Sequence, residues 1–378
     1  MAEAVFVGLL VLVNYCYFGY PALLILVGSL RRTSPTEGCA LPTVCLVIVA
    51  HNEEAVIEEK LKNSLALDYP KDKLEIVVAS DASTDATDGI VAAYAGHGVR
   101  LLRRPTRGAQ TGAQNYAVPR TTGEIVVFSD ANSMYSPDSL TKLVMPFTDD
   151  KVGCVVGRLR HTNPDSTAVS FGEELYWRYE SFLKRKQSSA SALFLANGAI
   201  YAVRRRLYTE VDPDHDHDTI VPLRTAGLGY RVVYQPEALA YERASESFKG
   251  ELRRKVRIIT RDAWTFIDLK FMLSPLKPWV AFNIISHKVI RWAIGFAMIG
   301  MFISNLFLLD RLLFQMTFAA QIGFYATAVL GHLMDRTGKG NALVRIPLYF
   351  CLVNGAGIVA AMGLCTGRRM RTWNPRSW

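Results

Sequence analysis

Several features are missing from these 378 residues, and each absence removes a class of protein. No Gly-x-Ser-x-Gly stretch occurs, so there is no elbow to present a serine nucleophile. No Gly-x-x-x-x-Gly-Lys stretch occurs either, so there is no phosphate loop of that kind. The six cysteines (Cys16, Cys39, Cys45, Cys154, Cys351, Cys365) show neither close pairing nor metal-ligand spacing, which argues for a reducing compartment. Internal repeats and low-complexity tracts are absent. Charge is sparse, at 20% of residues against 50% hydrophobic, although the formal net charge is +9. That excess does not predict a nucleic-acid partner, because Arg31, Arg32, Arg336, Lys339, Arg368, Arg369 and Arg371 flank apolar blocks. Such flanking is the pattern of a membrane protein's cytoplasmic face.

The apolar blocks run over Ala4–Leu30, Ile290–Leu309, Leu312–Met334 and Leu343–Cys365. Each is long enough for a bilayer core of about 30 Å. A cleaved leader fits the first block poorly, since it is long and lacks a basic start. The expected organisation is an anchor over 1–32, a polar domain over 40–246, amphipathic interface helices over 247–288, and a C-terminal region of two to three spans over 289–378. One span before the polar domain and three after it would put the C-terminus outside, whereas the basic tail (Arg368, Arg369, Arg371, Arg376) argues for inside. Either one C-terminal block is re-entrant or interfacial, or the tail breaks the charge rule.

Within the polar domain, strand and helix patterns alternate, which predicts a mainly parallel sheet. Val44–Val49, Leu74–Val78, Arg100–Leu102 and Ile125–Phe128 read as buried strands, and each is followed by polar residues suited to a ligand crevice. The residues at those ends are His51, Asn52, Glu53, Asp81, Asp130 and Asn132. In Asp130-Ala131-Asn132 a hydrophobic strand ends in a carboxylate and an amide, both hard oxygen donors.

Together these segments resemble the family-2 glycosyltransferases, inverting enzymes with a nucleotide-diphospho-sugar-binding α/β fold of the GT-A type. The likeness covers about Leu41 to Trp264, and the anchor-before, spans-after layout resembles the membrane-bound polysaccharide synthases. Val49-Ala50-His51-Asn52-Glu53-Glu54 matches the first-strand motif, with His51 where tyrosine is usual, and Ser80-Asp81-Ala82-Ser83-Thr84-Asp85 matches Asp-Asp-Gly-Ser-x-Asp. Gly112-Ala113-Gln114-Asn115 resembles Gly-Ala-Leu-Asn, without the preceding lysine. Asp130-Ala131-Asn132 resembles the metal-holding Asp-x-Asp with its second acid replaced. Asn197 to Arg205 resembles the element beneath the acceptor site, and Arg254-Lys255-Val256-Arg257-Ile258 is the best match to Gln-x-x-Arg-Trp, lacking both Gln and Trp.

The resemblance implies transfer of a sugar from a nucleotide-diphospho-sugar, of the UDP type by likeness, to a growing polysaccharide or lipid-linked glycan, with Mg²⁺ or Mn²⁺. It implies nucleotide contacts at Ala50, His51, Glu53, Asp81, Arg107 and Asp130, with Arg107 supplying the missing lysine's charge. Metal contacts fall at Asp130 and Asn132, and acceptor or diphosphate contacts at Gly198, Arg254, Arg257 and Trp264. Val221 and Arg224 lie three and six residues after Asp218, the register that assigns Asp218 as catalytic base, with Asp216 as its rival. A lipid bilayer is an expected partner and an oligomer is possible. The expected location is the inner (plasma) membrane, multi-pass, with a cytosolic catalytic domain. Two alternatives remain: addition of a single sugar to a lipid carrier, and a catalytically inactive nucleotide-sugar scaffold.

Overall fold

The computed structural model describes residues 1–30, 40–163, 167–245, 247–270, 278–335, 341–367 and 369. Arg31, Arg32, Arg336, Lys339, Arg368, Arg371 and Arg376 lie outside the described residues. Helices α1 (Ala2–Asn14) and α2 (Tyr20–Ser29) form one rod, joined by a π turn at Tyr15–Gly19. The polar domain follows with β1 (Val44–Ala50), α3 (Ile57–Leu65), β2 (Leu74–Ser80), α4 (Thr87–Ala93), β3 (Val99–Arg103), α5 (Ala109–Ala117), β4 (Ile125–Asp130) and β5 (Met134–Tyr135). It continues through α6 (Ser139–Val144), β6 (Val152–His161), α7 (Ala168–Ser189), β7 (Tyr201–Arg204), α8 (His217–Gly227) and β8 (Arg231–Glu242).

The eight strands form one mixed sheet in the order β3-β2-β1-β4-β7-β6-β8-β5. Every residue of β1 is buried, as expected of a central strand covered on both faces. Its side chains alternate: Leu46 and Ile48 join one core, and Cys45, Val47 and Val49 join the other. β1 pairs in parallel with β2 on one side and β4 on the other, opposing Val49 to Asp130. The chain therefore turns to opposite sides of β1, which opens a crevice at the strand ends. Gly123, just before β4, is required by packing, because a Cβ there would lie 2.4 Å from the Cys45 nitrogen. The four predicted strands are all present. β7 joins β4 antiparallel, so the half of the sheet built from β5 to β8 is mixed rather than parallel.

Beyond the sheet lie α9 (Phe248–Asp268), α10 (Pro278–Ile284), α11 (Ile290–Leu306), α12 (Leu312–Asp335) and α13 (Ala342–Cys365). Among the described residues four helices are long and apolar enough to cross a membrane: Ala2–Ser29, Pro278–Leu306, Leu312–Met334 and Ala342–Cys365. The last packs on α11 and α12 and also lies along α9. Near its start the Tyr349 hydroxyl donates to Glu251 Oε1 (2.8 Å), and in its middle Ala356 and Ala360 pack on Val256 and Ile259 of α9. Just past its end, Arg369 binds both Asp268 carboxylate oxygens (3.0 and 3.2 Å) and lies 4.5 Å over the Trp264 ring. Tyr349 to Cys365 covers about 24 Å of helix and Glu251 to Asp268 about 25 Å at 1.5 Å per residue. α13 and α9 thus run side by side in the same direction, and both ends of α13 meet the polar domain and its amphipathic helix.

Candidate active site

At the ends of β1 and β2 two residues adopt left-handed backbone, Asn52 (φ 56°) and Ala82 (φ 55°). Asparagine tolerates this well, while alanine bears strain of about 1–2 kcal/mol. The turns interlock. His51 Nδ1 shares a hydrogen bond with the Asp81 carbonyl (2.8 Å), and Asn52 Oδ1 accepts from the Thr84 N–H (2.8 Å). The buried Asp81 Oδ1 accepts from Arg104 Nη1 (3.0 Å) and from the Gly108 N–H (2.8 Å) at the start of α5. Arg104 fills the space above the glycines, since a Cβ on Gly108 or Gly112 would collide with its guanidinium.

The end of β4 carries the second group. Gln110, in the first turn of α5, donates to Asp130 Oδ1 (2.6 Å). Burial, followed by the nearby Glu242 carboxylate, raises the Asp130 carboxyl well above its ordinary range. Glu242 is raised too, chiefly by burial, and accepts from Ser133. Beneath both carboxylates lies Lys60, fully buried, bonded to the Ser133 carbonyl and 4.0 Å from the Tyr135 ring centre. Desolvation pulls its ammonium down to about 7. The face of Asp130 toward the cavity is kept open by Gly198, where a Cβ would lie 3.0 Å from Asp130 Oδ2.

Does this site fit a divalent cation? Asp130 and Asn132 supply hard oxygen donors on one cavity wall, Gly198 leaves room beside the carboxylate, and two acids share one buried lysine. Among the described residues no group of three or more His, Cys, Asp or Glu forms a complete cage. The set fits a Mg²⁺- or Mn²⁺-type ion that takes its remaining ligands from phosphate and water.

Asp130, Glu242 and the acidic turn before α8 border a cavity of about 670 Å³, within the usual range for a ligand site. Asp216 precedes α8 and is held by Arg261 Nε (2.6 Å). Asp218, one residue into α8, lines the cavity with no hydrogen bond or ion pair to its carboxylate among the described residues. Burial, then the neighbouring Asp216 and Asp262, raise its carboxyl to about 7, and Lys184 opposes that rise. His217 between them is a core residue: it shares a hydrogen bond with the Tyr201 hydroxyl and meets the Phe128 ring edge-on at 4.3 Å. Burial drives its imidazole down to about 3, so it is neutral.

On the opposite wall α9 presents two arginines in different states. Arg254 is held by Glu173 and by Glu251 (2.8 Å). Arg257 lines the same cavity with no partner among the described residues, and its guanidinium feels Asp216, Asp218 and Asp130. A planar fork left unpaired in a largely desolvated cavity is suited to a diphosphate.

Of the residues singled out from sequence, the cavity gathers Glu53, Asp130, Asn132, Gly198, Asp218, Arg254 and Arg257. Ala50, His51 and Asp81 lie behind that wall in the interlocked turns, and Ala50 contributes its carbonyl to the Asp81 N–H (2.9 Å). Arg107 is exposed, and a cation that pairs with Asp81 is Arg104. Trp264 also lies outside the cavity, at the far end of α9 under Arg369. Glu242, Lys60 and Lys184 were missed. Lys60 sits in the charged-looking run Glu58-Glu59-Lys60, and only its spacing from Ile57 and Leu61 hinted at burial.

Residues 45–211 match the family model described as Glycosyl transferase family 2. The chain is 27% identical over 252 residues to the probable glycosyltransferase YdaM of Bacillus subtilis (strain 168), covering 63% of this chain and 59% of that one. It is 31% identical over 171 residues to a beta-monoglucosyldiacylglycerol synthase of Nostoc sp., covering 44% of this chain and 36% of the relative. The chain thus spans less than two thirds of the length of either relative. Among solved structures, a mannosyltransferase of Pyrobaculum calidifontis, in complex with GDP-Man and Mn²⁺, superposes with a TM-score of 0.72 at 23% identity, covering 98% of this chain and 100% of the other. That likeness establishes a shared fold, and the fold class expected from sequence is the one observed.

Proposed function

Starting from a chain that carries a glycosyl transferase family 2 domain, we propose that it moves a sugar from a nucleoside-diphosphate sugar to an acceptor hydroxyl with inversion at the anomeric carbon. The observation that carries this reading is the unpaired, raised carboxylate of Asp218 facing the same cavity as Asp130 and the unpaired Arg257. Asp130 and Asn132 are the residues to hold a divalent cation, which when bound neutralises charge on the departing diphosphate. Arg257 binds the same diphosphate from the α9 side. The interlocked turns at His51, Asp81 and Arg104 face the base, with Glu53 at the rim.

Asp218 takes the proton of the acceptor hydroxyl. The oxygen attacks the anomeric carbon from the face opposite the diphosphate, the new C–O bond forms, and the old one breaks with its electron pair leaving on the nucleotide. A carboxylate titrating near 7 suits this role, since a base works best when its pKa lies near the working pH. No second protein nucleophile is needed. The residual charge balance of the cavity supports the same reading: Glu180 pairs with Arg291 and Asp262 with Lys288, so these acids are already neutralised.

For the membrane, the reading is that α1–α2, α10–α11 and α12 cross, while α13 lies at the interface along α9. In this reading residue 369 lies on the catalytic side, as the basic tail suggests, and the catalytic domain faces the cytosol, where nucleotide sugars are found. The acceptor is a polysaccharide or a lipid-linked glycan. Single addition is the second reading, favoured by the engagement of Arg254 in ion pairs where processive relatives carry a different motif. The test is nucleotide release from the purified protein over a panel of nucleotide sugars with Mg²⁺ or Mn²⁺. Release with none of them overturns the proposal.

A further inference from the structure

A second hollow lies on the helices that leave the catalytic cavity. It has a volume of about 350 Å³ and is lined by α11, α12 and α13, with Gly295, Met298, Phe302, Tyr325, Cys351 and Gly355 among its walls. The lining is almost wholly apolar. Its one amide, Asn354, donates to the Phe350 carbonyl (2.8 Å) within its own helix.

The hollow and the cavity are consecutive along two helices. On α11, Arg291 and Trp292 line the cavity, and Gly295 begins the groove three residues later. On α13, Val353 lines the cavity while Asn354 and Gly355 line the groove. The helices meet there at close range, since a Cβ on Gly295 would lie 2.4 Å from the Asn354 carbonyl oxygen and one on Gly357 2.5 Å from that of Trp292. On the cavity side of this contact, Arg291–Glu180 and Lys288–Asp262 are paired, so these four groups leave no unbalanced charge on that wall. Gly355 itself packs on nothing: a Cβ added there meets no atom within 4 Å.

We infer that this groove holds the hydrocarbon chain of the acceptor, so that the acceptor is a membrane lipid whose hydroxyl-bearing headgroup reaches into the cavity beside Asp218. The inference rests on the glycosyltransferase reading above. A hydrocarbon chain is the occupant because two of the walls, α11 and α12, belong to helices read above as crossing the membrane and the third, α13, is as apolar and lies at its edge, which brings the groove into contact with acyl chains. In that setting the groove gains no hydrophobic energy over lipid and acts by fit, fixing where the headgroup stops. The open flank of Gly355 is the space such a chain requires.

The experiment compares Gly355→Leu with Gly363→Leu, a control on the same helix where an added Cβ likewise meets nothing and which does not line the groove. Each protein is reconstituted in vesicles of total bacterial membrane lipid and supplied with radiolabelled nucleotide sugar. Label is counted in the organic phase, and donor breakdown to water is counted separately. The expected result is lipid-soluble label from the wild type and from Gly363→Leu, an at least tenfold loss in Gly355→Leu, and unchanged donor breakdown in all three. Native mass spectrometry adds a headgroup-independent readout, in which Gly355→Leu alone loses a co-purifying lipid. Label appearing only on a water-soluble oligosaccharide, equal behaviour of the two variants, or a change in oligomeric mass from Gly355→Leu would each overturn the inference. Absent donor breakdown in the wild type would instead overturn the glycosyltransferase reading on which it rests.

Discussion

Replacing Asp218 by Asn keeps the shape of the side chain and removes its ability to accept a proton. General-base catalysis contributes roughly 10²- to 10⁴-fold, so the turnover rate should fall by that factor, a barrier increase of about 2.7–5.5 kcal/mol. The wild-type rate carries a second signature. With its carboxyl raised to about 7 by burial and by Asp216 and Asp262, Asp218 is about one-tenth ionised at pH 6 and about nine-tenths at pH 8. The ionised form is the active one, so kcat/KM should climb about tenfold across that interval, level off above it, and be lost as pH falls. Asp218→Asn should flatten this rise while leaving donor binding intact by calorimetry. Asp216→Asn is the matched control: Asp216 is engaged by Arg261 at 2.6 Å, so its loss should weaken the start of α8 without removing the pH rise. A wild-type-like profile in Asp218→Asn, or a flat one in Asp216→Asn with the fold intact, would refute the assignment.

Three further outcomes follow from the same geometry. Lys184 lines the cavity, donates to the Ala196 carbonyl (3.4 Å) and opposes the rise of Asp218, so Lys184→Gln should move the midpoint of the pH profile upward. A downward move or no move would show that Lys184 does not act on Asp218. Gly198→Ala places a Cβ 3.0 Å from Asp130 Oδ2 and should raise the half-saturating concentration of Mg²⁺ or Mn²⁺ by roughly tenfold, read from nucleotide release against metal concentration. Ala82→Gly relieves a left-handed alanine at φ 55° and should stabilise the protein by up to about 1 kcal/mol, net of the flexibility glycine adds to the unfolded chain. A lower thermal midpoint would count against that strain.

Much of the cavity wall around Asp130 was legible because its signals are local. The run Val44–Val49 announces a buried strand, and a strand that ends in Asp130 announces a ligand within six residues of sequence. The register of Asp218 with Val221 and Arg224 was legible for the same reason, as one helical face. What stayed hidden depends on distant partners. Glu242 meets Ser133 across 109 positions, and Lys60 reaches the Ser133 carbonyl across 73, so neither reads as more than a surface charge in its own segment. Arg104 and Arg107 are near neighbours on one loop, and only the fold decides which of them turns toward Asp81. The packing of α13 on α9 was hidden by composition: an apolar stretch of 24 residues does not show which helices it lies against.

The course of α13 has a mechanical consequence. A catalytic domain held by one anchor at its N-terminal end would pivot over the lipid surface like a buoy on a line. Here the last long helix is tied to α9 at Glu251 and along Val256 and Ile259, and the chain just past it again at Asp268. The polar domain therefore keeps one orientation relative to α13, and the direction in which its cavity opens is fixed with it.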